Sequence, residues 1–269
     1  MENSKLRKVF IIILGIICSA SGLSLILFEY FLGAEWTKFL TYFMNITGTI
    51  VLFIGLAFFY SLFKKGNKKL SVRQMTLVGI MSSLSVILYY FLKFNLPFFP
   101  PWLDIQVSEI PALITGFAYG PYAGFLVIFI RFIVKIPATI TAGVGEFADL
   151  VLSSSLVLIS SLMYSKNRTI KGALKGTVIG VVVCTIFSIF VNWFILIPAY
   201  VNIAEFPLPA LAGLLSNSTG LNVTVDNFMF YYLLLGVLPF NLLRYVLVAI
   251  FTFMLYKRTH MILKRLSSR

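Results

Sequence analysis

Charge is what this chain has least of. Asp, Glu, Lys and Arg together make up 12% of its 269 residues, about half the share found in a soluble domain. With 59% hydrophobic residues and a mean hydropathy of +0.97, the chain cannot coat itself for water, so lipid must be the solvent for most of its surface. Histidine is nearly absent too. The only one, His260, lies in a basic tail, which excludes a histidine-built metal centre and a Ser/His/Asp triad. The two cysteines, Cys18 and Cys184, sit in separate apolar runs and read as packing residues, not as a disulfide or a metal pair. There is no G-x-x-x-x-G-K-[ST] phosphate loop and no metalloprotease helix motif, so the chain has no ATPase of its own and does not read as an enzyme. The formal net charge of +13 comes from short basic clusters between apolar runs. That is the pattern of a membrane protein with positive cytoplasmic segments, not of a nucleic-acid binder.

The apolar runs predict eight membrane-spanning helices, at about 9–32, 40–63, 74–94, 106–119, 121–137, 144–164, 173–200 and 228–256. The first is too long for a signal-peptide core and no small-residue cleavage site follows, so it reads as a retained span. A turn at Gly120-Pro121 divides the fourth from the fifth. With a cytoplasmic N-terminus, 17 of the 22 basic residues fall inside, and the even span count puts the C-terminus inside as well. The chain is thus expected to be a multi-pass protein of the cell membrane with both termini cytoplasmic. The basic stretch KKGNKKLSVR divides residues 1–73, a two-helix extension with its linker, from residues 74–269, a six-helix core with a basic tail. Between spans, residues 94–105 (FNLPFFPPWLDI) are aromatic and proline-rich, as suits a semi-rigid lid at the membrane interface. Residues 201–227 form a long, Gly/Ser/Asn/Thr-rich outer loop of functional or disordered character.

Polar side chains inside spans are costly and mark function by default. Asn241 and Arg244, in GVLPFNLLRYV, share a helix face at i, i+3, and Pro239 just before them can free a backbone carbonyl. Together they can hold a planar polar heterocycle or pair a carboxylate; Arg244 can equally serve to neutralise Glu109 or Glu146. Asn192 stands beside Trp193, a combination that suits a flat ligand needing stacking and edge hydrogen bonds, or an interhelical bond. Glu146 and Asp149 open a span after Gly-Val-Gly, where Glu146 can meet a ligand or cap its helix. Glu109, with Asp104 nearby, has Arg131 and Lys135 as candidate partners within the bundle.

Four segments together carry a family resemblance: LPFFPPWLDIQVSEIPALITGFAYGPYAG (96–124), GVGEFADLVLSSSLVLISSLMY (143–164), NWFILIPAY (192–200) and YYLLLGVLPFNLLRY (231–245). In this order and spacing, residues 74–265 resemble the substrate-binding S components of energy-coupling factor (ECF) vitamin transporters, most closely the riboflavin branch. The resemblance implies a six-helix S component that binds riboflavin from outside as its transported ligand, with no cofactor. It also implies partnership with a membrane coupling subunit and two cytoplasmic ATPase subunits that drive release inward. By resemblance, Asn192 and Asn241 match flavin-bonding asparagines, and Arg244 matches a position where the family has a lysine facing the ligand. Leu96, Phe98, Phe99, Trp102 and Leu103 match the loop that lines and covers the pocket, and Glu146 is taken as a further site residue. Arginine at 244 keeps the charge but replaces a point donor with a planar fork, which leaves FMN or another flavin open. A different vitamin, or a non-transporting scaffold or sensor on an S-component core, are the other readings. On the first core helix, Gly79, Ser82 and Ser83 supply small side chains for close packing against the coupling subunit or within this chain.

Overall fold

The structure is a computed structural model that describes residues 70–202 and 204–267, with side chains as far as residue 256. The predicted two-helix extension, Cys18 and most of the basic linker lie outside the described residues. Residues Lys69–Arg269 form one compact unit.

Its first helix, α1 (Val72–Phe91), begins with a reciprocal cap in which Ser71 Oγ accepts from the Gln74 amide while Gln74 Oε1 accepts from the Ser71 amide. Two short antiparallel strands follow, β1 (Lys93–Asn95) and β2 (Asp104–Gln106), with Phe94 opposite Ile105. The Asn95 side-chain amide donates to the carbonyls of Pro100 and Leu103, tying the proline-rich loop across its own base. The predicted semi-rigid segment is therefore a pinned hairpin. Helix α2 (Ile110–Tyr119) is buried at eight of its ten positions. At 1.5 Å per residue it reaches about 15 Å, half the hydrocarbon thickness. The sequence-predicted fourth span is thus a buried core helix too short to cross alone. Gly120, at φ 97°, makes the expected turn, and Pro121 opens α3 (Pro121–Lys135), extended by a 3-10 turn to Ala138. Helix α4 (Val144–Lys166) follows.

The next two segments are each interrupted. Helix α5 (Ile170–Val191) passes through a π-helical turn, Asn192–Leu196, into α6 (Ile197–Asn202). After α7 (Leu208–Thr219), the short α8 (Phe228–Tyr231) passes through a second π turn, Tyr232–Val237, into α9 (Leu238–Ser267). Both π turns have a sequence cause. Pro198 and Pro239 lack an N–H, and each proline ring would crowd the carbonyl four residues back, at Phe194 and Leu235, both within the widened turns. Helix α7 falls in the loop predicted to be irregular; its Leu208, Leu211, Ala212 and Leu215 recur at helical spacing and pack on Phe228 and Tyr232.

Among the described residues, five helices are long and apolar enough to cross a membrane: Val72–Phe91, Pro121–Ala138, Val144–Lys166, Ile170–Asn202 and Phe228–Tyr256. The chain is a multi-pass helical membrane protein. Its core gathers residues of α1, α2, α3, α4, α5 and α9, including fully buried Leu113, Val127, Leu156 and Cys184. Backbones approach closely where α4 meets α5. A Cβ on Gly176 would lie 2.8 Å from the Ser160 carbonyl oxygen, so only glycine fits.

Candidate functional site

Among the described residues, three arrangements of buried polar groups touch or adjoin the hairpin.

The first links the two π turns. Asn192 Nδ2 donates to the Ser188 carbonyl at 2.8 Å, and Asn192 Oδ1 accepts from the Tyr232 hydroxyl at 2.9 Å. The Tyr232 oxygen in turn accepts from the Trp102 indole N–H at 3.3 Å, so the hairpin is joined to both helices. Tyr232 also stacks on Phe228 at 5.3 Å between ring centroids, 8° from parallel. Asn192 and Tyr232 are buried, while Trp102 is half-buried.

The second lies beside Asn241. The buried Asn241 amide donates back to the Val237 carbonyl, the last of the π turn, at 2.9 Å. Its neighbour Phe240 packs with Phe99 and Ile105 of the hairpin, the two rings meeting edge-on at 5.4 Å, and Leu96 and Leu103 lie against the same cluster. The hairpin is therefore anchored to α9 through apolar contacts one residue from a predicted ligand-binding amide. Phe98, by contrast, is exposed.

The third is a buried ion-pair network. Asp149, on α4, is its hub. Its Oδ2 accepts from Arg131 and Lys135, each at 2.8 Å, and its Oδ1 accepts from Arg244 at 2.7 Å, Gln106 at 2.9 Å and Ser153 at 3.1 Å. Arg244 uses the same Nη2 to pair with Glu109, and the single Ser153 hydroxyl proton is shared between Asp149 Oδ1 and Glu109 Oε1, the latter 2.9 Å from the hydroxyl oxygen. Lys135 Nζ lies 3.8 Å from the Tyr89 ring centroid, a cation–π contact. Three cations against two carboxylates leave one excess positive charge. An unshielded charge at this depth would be costly, so the carboxylates and the Tyr89 ring are what let these cations be buried.

These positions sort the sequence expectations. Asn192, Trp102 and Tyr232 come together, as do Asn241, Leu96, Phe99 and Leu103. Arg244 is carried one turn away from Asn241 into the carboxylates; of its two expected neutralising partners it meets Glu109, and Glu146 lies elsewhere. Arg131 and Lys135 are within the bundle as foreseen, but their carboxylate is Asp149; Glu109 pairs with Arg244. Glu146 accepts from the hydroxyls of Thr139 and Thr141 at 2.7 and 3.0 Å, which fastens the turn ahead of α4. On α1, Ser82 is turned inward and donates to the Val78 carbonyl, so it packs within this chain, while Gly79 and Ser83 lie on the exposed face. Tyr232 and Gln106 were missed. Tyr232 sits in an aromatic run, FMFYYLLL, that looks like an interface belt; its place seven residues before a mid-span proline was the available signal.

An open crevice of about 420 Å³ runs between α3, α4 and α5, lined by Phe132, Val144, Phe147, Val151, Val191 and Ile195. Its walls are apolar and hold none of the predicted ligand groups, so it offers nothing to orient a polar heterocycle.

Residues 73–256 match the family described as "ECF transporter, substrate-specific component". The chain is 29% identical over 203 residues to the riboflavin transporter RibU of Staphylococcus aureus (strain TCH60), covering 75% of this chain and 99% of that protein. It is 27% identical to the riboflavin transporter FmnP of Bacillus subtilis (strain 168), over 67% of this chain and 88% of that one. With RibU of Lactococcus lactis subsp. cremoris (strain NZ9000) it shares 31% identity, over 66% of this chain and 88% of the relative. A solved structure described as the S component of a bacterial ECF transporter superposes with a TM-score of 0.56 at 26% identity, over 71% of this chain and 98% of that one. Family, span pattern and superposition agree, and the chain belongs to the substrate-specific components of ECF transporters.

Proposed function

We propose that this chain captures riboflavin from outside the cell and delivers it to a membrane coupling subunit driven by two cytoplasmic ATPase subunits. One observation carries the ligand: the relatives matched over 88–99% of their length are named riboflavin transporters. The geometry supports it. Asn192 opens one π turn and Asn241 lies one helical turn beyond the other, tied back to its last carbonyl, with aromatic residues of the hairpin packed beside both. A planar heterocycle with hydrogen-bonding edges suits two amides and a stacking surface. Leu96, Phe99, Trp102 and Leu103 line that surface in this reading, and Phe98 covers it from the exposed side. Arg244, one turn along α9 from Asn241, braces that helix through its carboxylate partners Glu109 and Asp149, and Glu146 supports the rim by fixing the turn before α4. Both termini face the cytoplasm in this account, following the basic clusters. The exposed Gly79 and Ser83 mark the α1 face that meets the coupling subunit, where small side chains permit close helix approach. Since the chain carries no phosphate loop, uptake must draw its energy from other subunits.

The test is uptake of labelled riboflavin in cells lacking their own flavin transporter. Coexpression with the coupling subunit and ATPases should give uptake that this chain alone does not. Equal uptake without ATPases, or none with them, refutes the proposal.

A further inference from the structure

The hydrogen bonds around Asn192 run in one direction, and that direction is fixed from both ends. A backbone carbonyl can only accept, so the Asn192 atom 2.8 Å from the Ser188 oxygen must be its amide nitrogen. The other amide atom is therefore the carbonyl oxygen, and the Tyr232 hydroxyl 2.9 Å away must donate to it. An indole N–H can only donate, so Trp102 gives its proton to the Tyr232 oxygen, the one role left open there. The relay reads Trp102 to Tyr232 to Asn192 to the Ser188 carbonyl. It leaves one N–H of the Asn192 amide uncommitted. Were Tyr232 to lose its hydroxyl, nothing on that side would hold the Asn192 oxygen.

The placement is unusual in a second way. Asn192 is the first residue of one π turn and Tyr232 the first of the other, so their bond bridges the only two widened turns among the described residues. Such turns recur at functional sites because they redirect side chains that an α-helix would stack.

We infer that Tyr232 is a positioning residue for ligand recognition. Its hydroxyl holds the Asn192 amide so that a free N–H faces an acceptor atom of the bound ring, such as a carbonyl oxygen or an unprotonated ring nitrogen. Trp102 makes this conditional on the hairpin, because its indole supplies the upstream donor. The inference rests on the riboflavin reading above and adds to it a residue that acts through Asn192 without touching the ligand itself.

A double-mutant cycle on the purified full chain tests it, with riboflavin affinity and thermal stability both recorded. Tyr232→Phe keeps the ring stacked on Phe228 and removes only the hydroxyl. In the wild-type background it should weaken riboflavin binding about 3- to 10-fold, the range for one hydrogen bond of ordinary strength. In an Asn192→Ala background the same substitution should change affinity less than about twofold, since there is no amide left to position. Equal losses in both backgrounds would show that Tyr232 acts through general packing and would overturn the inference, as would unchanged affinity in the single variant. If Tyr232→Phe does not fold, Trp102→Phe enters the same cycle; because Trp102 also lines the ligand surface, its loss should shrink at least about twofold beside Asn192→Ala without vanishing, and a loss of equal size in both backgrounds overturns the inference. A folded wild-type chain that binds no riboflavin overturns the functional reading and this inference together, and is seen before any variant is compared.

Discussion

Replacing Asp149 with asparagine keeps the side chain's shape and removes the charge on which three cations converge. Arg131 and Lys135 both donate to Oδ2, and Arg244 and Gln106 to Oδ1. An asparagine can present one oxygen to one of these pairs, and its NH2 group then faces the donors of the other. Glu109 remains as the sole carboxylate against Arg131, Lys135 and Arg244, raising the excess from one positive charge to two. Breaking a buried pair by removing one partner costs about 3–5 kcal/mol, because the remaining charge stays buried without compensation. At about 2–4 °C per kcal/mol for a chain of this size, the melting temperature in detergent should fall by roughly 6–20 °C. Lys93→Ala is the matched control. The Lys93–Asp104 pair is 3.5 Å long with both side chains about two-fifths exposed, and pairs of that kind contribute about 0–1 kcal/mol. Thermal unfolding of both variants in one detergent decides the matter. If Asp149→Asn melts within a degree or two of wild type, or no lower than the control, the network does not hold these helices together and the argument fails.

Two further outcomes follow from packing. Gly176→Val should destabilise by about 1–3 kcal/mol or abolish folding, because the Ser160 backbone cannot yield the space a side chain needs; normal stability in a denaturant titration would contradict the close α4–α5 approach. Gly79 has open space where a Cβ would sit, so Gly79→Leu should leave riboflavin binding and stability unchanged while lowering uptake with the coupling subunit several-fold. Full uptake would place the partner surface elsewhere.

Hydropathy alone made most of the membrane fold legible, because runs of about 20 apolar residues admit few other structures. It failed at α2, where a buried core helix and a spanning helix share the same composition and only length separates them. It failed again at α7, where Gly, Asn, Ser and Thr drew attention from the Leu208, Leu211, Ala212, Leu215 stripe. The hairpin's stiffness was visible in its prolines, but its pinning by Asn95 was not, since that bond depends on the turn already being formed. In-span polar residues were rightly singled out as buried, yet their partners were not readable. Arg244 finds Glu109 from 135 residues away and Asp149 from 95, separations over which sequence pattern carries no pairing information. Arg131 and Lys135, which the sequence puts near the outer side, are buried in the bundle against Asp149 and are not loop charges, and Arg244 is buried within its span as expected.

Equilibrium titration of the purified, folded chain with riboflavin, read by flavin fluorescence, tests the central claim most directly. Tight binding at one flavin per chain is expected, weakened about tenfold or more by Asn192→Ala and by Asn241→Ala with thermal stability retained. A folded protein that leaves flavin fluorescence unchanged, or one whose affinity is the same in wild type and both variants, would contradict the account.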